Sequence, residues 1–232
     1  MITEKTLVNK QIAPEIDLVE RARGIWNRYG KQILIALAVI VGAIAAYVGY
    51  RYYVEEPNET KASEAMFRAQ DYFNQDSIRL ALNGDNVNPG FIKIISRYEN
   101  TKAGNLAKFY AGSCYLKLGD FNNAVKQLKD FSTDSKQVQA RATSLLADAQ
   151  SELGKKEEAA ELYGKAGKMF EEDDYNSPEY LFRAGYLYES MGKNKEAIDM
   201  YRIIKEKYAK SERGYEVDKY LARLGVFDID EK

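Results

Sequence analysis

The chain has 232 residues, 34 basic and 35 acidic side chains and a net charge of −1, a balance unsuited to neutralising a row of nucleic-acid phosphates. The absence of histidine and the single cysteine, Cys114, exclude Ser-His-Asp triads, Cys-His dyads, zinc-type Cys/His clusters and an intrachain disulfide. With 45% apolar residues but only 4 prolines and 16 glycines, the chain can build a core and favours helices over strands.

Residues 1–31 hold six basic and four acidic side chains and read as a short tail. Beyond them Ile33 to Tyr50 (ILIALAVIVGAIAAYVGY) is 18 residues without a charge. At about 1.5 Å per residue the run reaches roughly 27 Å, close to the roughly 30 Å of a hydrocarbon core, so residues 32–53 read as a transmembrane signal-anchor helix. Arg21, Arg23, Arg28 and Lys31 precede the run and Arg51 alone follows closely, which predicts a cytoplasmic N-terminus and a translocated remainder. Trp26 and Tyr29 before it, and Tyr47, Tyr50, Tyr52 and Tyr53 at its other end, suit the two lipid–water boundaries. A cleaved signal peptide is the rival, because Ala43-Ile44-Ala45 has the small-residue spacing of a cleavage site. The long apolar run and the four acids before it favour an uncleaved anchor. Ala38, Gly42 and Ala46 recur every four residues and define a face that another membrane helix could approach, although small residues are common in such helices regardless.

From Glu55 to Lys232 there are 27 basic and 31 acidic side chains, so this portion is acidic where the tail is basic. It repeats itself. Leu118-Gly119-Asp120 followed by Ala124, Leu153-Gly154-Lys155 followed by Ala159, and Met191-Gly192-Lys193 followed by Ala197 recur after 35 and then 38 residues. Each Gly ends an apolar helical stretch and suits a left-handed C-cap, and each Ala opens a second helix, so each unit reads as a helical hairpin. The second helices carry apolar residues at helical spacing: Ala124, Val125, Leu128 and Phe131; Ala159, Ala160 and Tyr163; Ala197, Ile198, Tyr201 and Ile204. Ala111 and Gly112, Ala147, and Ala184 and Gly185 fall seven or eight positions before each turn glycine, where a narrow side chain lets two helices pack closely.

These spacings resemble the tetratricopeptide repeat family, and the match covers three units over residues 105–210. The expected organisation is all-α: one transmembrane helix, a degenerate first hairpin over 54–104, the three repeats, and a C-terminal capping helix and tail over 211–232. The flanks look like edited copies, since Ile94-Ile95 and Tyr98 before Thr101 and Gly104 parallel Ile203-Ile204 and Tyr208 before Ser211 and Gly214. Asn83 to Gly90, loose in composition, is expected to be the loop between the two helices of the first hairpin.

Three features have ordinary readings. Glu171-Glu172-Asp173-Asp174 lacks the alternating ligands of a calcium loop and reads as a solvated linker, with Ser177 as the N-cap of the helix that follows. Cys114 sits among apolar helix neighbours and reads as a packed thiol. Asn58-Glu59-Thr60 is a glycosylation acceptor by pattern alone. The family pattern places Phe109, Leu116, Lys117, Arg141, Asp148, Phe182, Tyr186 and Glu189 on the inner face of the stack, as a partner-binding groove. The alternative is that these side chains simply cover hairpin faces.

Trp26 to Lys31 (WNRYGK), Tyr50 to Tyr53 (YRYY), the Ala-rich helix from Ala62 and the repeats together resemble the YfgM-like ancillary subunits of the bacterial SecYEG translocon. That resemblance implies a non-enzymatic, single-pass inner-membrane protein with its repeats in the periplasm. Its implied partners are SecYEG, a membrane-anchored periplasmic chaperone of the prolyl-isomerase type, and unfolded translocating chains; no cofactor is implied. A periplasmic scaffold for envelope assembly or cell division would keep the same architecture with other partners.

Overall fold

The structure, a computed structural model, describes residues 13–227. The chain divides into two compact units, residues 1–57 and 58–232, and the extreme ends of the expected tails, residues 1–12 and 228–232, lie outside the described residues.

The first unit holds helix α1, Ala13–Tyr50, and a π-helical turn, Arg51–Glu55. Pro14 falls in the first turn of α1, where its missing N–H costs no intrahelical bond. The expected boundary between tail and span at residue 32 is not a structural break. Residues 20–32 contain no proline, and the helix runs through them. The eight large aliphatic side chains from Leu34 to Val48 remain 51–64% exposed, and none of the apolar window is buried against the chain itself. Burying that many branched side chains is worth on the order of 10 kcal/mol, which this helix does not collect from its own protein. It is long and apolar enough to cross a membrane.

The second unit is a helical-hairpin repeat array of α2 Glu56–Asn74, α3 Ile78–Asn83, α4 Phe91–Arg97, α5 Lys102–Lys117, α6 Phe121–Lys129, α7 Lys136–Glu152, α8 Lys156–Met169, α9 Asn176–Ser190, α10 Asn194–Lys207 and α11 Glu212–Arg223. No strand occurs among the described residues; one isolated bridge joins Gly84 and Pro89. The pairs α5–α6, α7–α8 and α9–α10 are antiparallel hairpins, and α4–α5, α6–α7, α8–α9 and α10–α11 pack each unit on the next. The first helices also touch one another, α5 on α7 and α9 on α11, so they line one side of the stack.

Each hairpin turn has the same cause. Gly119, Gly154 and Gly192 have φ of 75°, 78° and 73°. The N–H after each glycine reaches back to a carbonyl of the last helical turn, Asp120 to Tyr115, Lys155 to Gln150 and Lys193 to Tyr188, each at 2.9 Å, while the glycine N–H bonds the next carbonyl along. This Schellman arrangement satisfies helix-end carbonyls that a residue with Cβ would reach only under strain. Gly225 ends α11 the same way, with Val226 bonding Leu221 at 3.0 Å.

The hairpins close small against large. A Cβ on Gly112 would lie 2.5 Å from Leu128, and one on Gly185 would lie 2.5 Å from the Tyr201 ring. Ala147, Tyr201, Ile204 and Leu181 are fully buried in the largest core cluster, which runs from α7 to α11, while a second runs from α2 to α5. The flanking copies match in detail. Thr101 and Ser211 each cap a helix by accepting from the N–H of Gly104 and Gly214, at 2.9 and 3.0 Å, and each donates its hydroxyl to the carbonyl of Tyr98 or Tyr208. In α5 the cap is doubled, since the Glu59 carboxylate on α2 accepts from Lys102 N at 2.7 Å and Ala103 N at 2.9 Å.

Three local expectations are corrected. The first hairpin contains an additional helix, α3, and the expected loop after it is closely hydrogen-bonded. The Asp85 carboxylate accepts from Val87 N, Asn88 N, Asn88 Nδ2 and the Tyr72 hydroxyl, hydrogen bonds that hold it well below the usual carboxylate range. Ser177 is not the N-cap of α9. It lies inside the first turn, 1% exposed, donating to the Phe170 carbonyl at 2.7 Å, while Asp173 accepts from Tyr175 N and Asn176 N. Phe131 is buried as expected but lies beyond the end of α6, where the chain has already turned.

Candidate partner-binding groove

Among the described residues, three cavities on the side of the stack built from α5, α7, α9 and α11 bear on the expected groove. The largest, about 400 Å³, is walled by Phe109 from α5, Val138 and Arg141 from α7, Phe170, and Tyr180 from α9. The second, about 310 Å³, lies one step along and shares Arg141, adding Tyr175, Glu179, Arg183 and Arg213. The third, about 180 Å³, is walled by Tyr163, Phe182, Arg183, Tyr186 and Leu187.

Phe109 and Arg141 therefore meet in one cavity, and Phe182 and Tyr186 meet in another. Tyr186 is 55% exposed and stacks on Phe182 at 6.4 Å; Phe182 is largely buried, with the Arg213 guanidinium 4.0 Å over its ring. Asp148 and Glu189 are bound into ion pairs on the same side. Leu116 and Lys117 line none of these three cavities. Leu116 packs against the α6–α7 core, and the Lys117 ammonium lies 2.8 Å from Asp76 and 5.2 Å over the Phe73 ring.

A ladder of charges that no local motif marks crosses the helices. Asp148 on α7 accepts from the Tyr163 hydroxyl and pairs with Arg183 on α9 at 3.1 Å; Arg183 also pairs with Glu179 at 2.8 Å. Glu179 bonds Arg213 on α11 at 2.7 Å, and Glu189 bonds Arg223 at 2.7 Å and the Tyr201 hydroxyl at 3.1 Å. Two further pairs, Lys193 with Glu157 and Lys207 with Glu171, join neighbouring repeats. The inter-repeat partners are separated by 34, 35 or 36 residues, one repeat length. Opposite charges one period apart are thus the signal that could have found them. Burial opposes ionisation of Glu179, but the two guanidiniums outweigh it and hold its pKa below the usual value. Burial first, and the Asp148 carboxylate second, raise that of Tyr163.

Against this neutralised background Arg141 differs. It is exposed, stands between the two larger cavities and has no ion pair among the described residues. Asp173, on the same wall, is occupied by its bonds to Tyr175 and Asn176. The arrangement offers an apolar socket beside an uncommitted guanidinium. Among the described residues no cluster of His, Cys, Asp or Glu has the grouping to hold a metal ion, and the Cys114 thiol is pushed up to about 12 by burial.

A family model described as a tetratricopeptide repeat-like domain matches residues 23–220. The match begins inside α1, ahead of the apolar run, and ends inside α11. No curated protein matches the chain.

Proposed function

The chain belongs to the tetratricopeptide repeat-like domain family, and from that premise we propose that it is a non-catalytic, membrane-anchored scaffold whose repeat groove docks protein partners. The observation that carries this reading is the socket beside Arg141: an apolar cavity of about 400 Å³ on the side lined by first helices, with that one cation at its wall holding no ion pair among the described residues. Apolar pockets with few convergent polar groups are the usual form of a binding site. The groove is assigned to Phe109, Arg141, Asp148, Phe182, Tyr186 and Glu189, with Leu116 and Lys117 at its N-terminal margin.

In this proposal α1 crosses a bacterial inner membrane once at residues 33–50, with the N-terminus cytoplasmic and the repeats periplasmic. Support comes from the exposed apolar length of α1, the basic residues before it, and a family match that runs through it into the repeats. The partners proposed are SecYEG, contacted through the Ala38, Gly42 and Ala46 face, and a membrane-anchored chaperone or emerging chain held in the groove. Confinement to the membrane raises effective concentration, so weak contacts suffice. The test is crosslinking in native membranes followed by mass spectrometry. Translocon subunits should be captured, and Gly42→Leu with Ala46→Leu should remove them. Capture of envelope-assembly or division proteins alone would replace the translocon part of the reading.

A further inference from the structure

Residues 20–31 of α1 form an amphipathic helix whose apolar face no other described residues cover. Ala22, Ile25, Trp26 and Tyr29 recur at i, i+3, i+4 and i+7 and so share one face. Ile25, Trp26 and Tyr29 are 57%, 54% and 45% exposed. The other side carries Glu20, Arg23, Asn27, Arg28 and Lys31, and the segment as a whole has four basic residues against one acid. Where it meets the apolar run stands Gly30, against which the Trp26 ring closes.

We propose that this segment is an anionic-lipid docking helix: its apolar face sinks into the headgroup–acyl boundary of the leaflet on the N-terminal side, and its basic face holds anionic headgroups. The inference rests on residues 33–50 spanning the bilayer, since that places the segment beside a lipid surface and names its occupant. An upright helix would leave Trp26 about 10 Å and Ala22 about 16 Å before Ile33, at or beyond the outer edge of a headgroup layer only about 5–8 Å thick. The apolar face would then stand in water. Lying in the plane buries it, with the charge pattern and ring positions of an interfacial helix. The bend this needs falls at Gly30, where no Cβ packs against the preceding turn.

Trp26 is the only tryptophan in the chain, so its emission reports this segment alone. The full chain is reconstituted into vesicles of phosphatidylcholine, with and without phosphatidylglycerol, some carrying brominated acyl chains. A second variant, Trp26→Phe with Ala22→Trp, moves the probe one turn outward. In-plane docking predicts blue-shifted emission and bromine quenching at both positions that agree within about twofold. Phosphatidylglycerol should deepen both, and Arg23→Gln with Arg28→Gln and Lys31→Gln should remove that increment. Quenching at 26 with water-like emission at 22 means an upright helix and overturns the proposal, as does water-like emission at both. Flotation of the same samples is read separately. A chain that fails to float with vesicles refutes the span, and the docking with it, whereas a floating chain with unquenched tryptophan refutes the docking alone.

Discussion

Gly185→Ala tests whether the hairpins close by glycine-on-aromatic contact. The new Cβ would lie 2.5 Å from one ring carbon of Tyr201 and 2.9 Å from two others, distances a real methyl group does not tolerate. Tyr201 has no slack, being fully buried among Phe182 at 6.0 Å and Tyr220 at 5.6 Å with its hydroxyl on Glu189. Either α9 and α10 separate or the ring leaves its rotamer, and overpacking of this kind costs about 1–3 kcal/mol. Against that, Ala in place of Gly inside a helix gains up to about 1 kcal/mol. With the full helix gain the net is a loss of up to about 2 kcal/mol. With a urea slope of about 2 kcal/mol per molar, the far-ultraviolet circular dichroism midpoint should fall by up to about 1 M. Tyr201→Leu should largely absorb the methyl, so the double variant should be more stable than the sum of the singles. Gly164→Ala is the control. Its Cβ would meet the flexible Met200 sulfur at 3.4 Å and the Ala184 methyl at an ordinary 3.9 Å, and stability should hold or rise. A Gly185→Ala variant as stable as the parent, with no coupling to Tyr201, would refute the packing argument.

Arg141→Glu should weaken partner crosslinking at least tenfold while moving the urea midpoint by less than the equivalent of about 0.5 kcal/mol, because this exposed side chain holds no ion pair among the described residues. Glu179 has a lowered folded-state pKa, so its contribution is present at neutral pH and lost as pH falls below about 4.5, the value it has when unperturbed. Thermal melts across that window should therefore show a smaller acid loss in Glu179→Gln than in the parent. Cys114 should react with maleimide only after unfolding, since it is fully buried and burial pushes its thiol pKa up to about 12; rapid labelling of the folded chain would show that α5 opens.

The turns were legible because one residue decides each of them. A glycine after an apolar helical stretch, repeated at 35 and 38 residues, has no better explanation than a left-handed cap, and Gly119, Gly154 and Gly192 all adopt it. Ser177 was misread for the opposite reason. Asp173, Ser177 and the residues between offer several capping side chains within one turn, and only the tertiary position of Phe170 decides which of them points inward. The knot around Asp85 was hidden because its key partner, Tyr72, lies 13 residues away on another helix. Repeat register placed Phe109, Leu116 and Lys117, then Arg141 and Asp148, then Phe182, Tyr186 and Glu189 on the inner face, but it could not show that Lys117 turns to Asp76, whose left-handed backbone at φ 57° sits in the unpredicted α2–α3 turn. The inter-repeat ion pairs were written as opposite charges one period apart, a pattern that hydrophobic periodicity does not read.

Protease added to intact spheroplasts tests the central claim most directly, because it asks on which side of the bilayer the stacked hairpins stand. The account predicts that the repeats beyond Pro57 are digested while a fragment containing residues 20–50 stays protected in the membrane pellet. Full-length protein surviving the treatment, but digested as soon as the membrane is permeabilised, would contradict it.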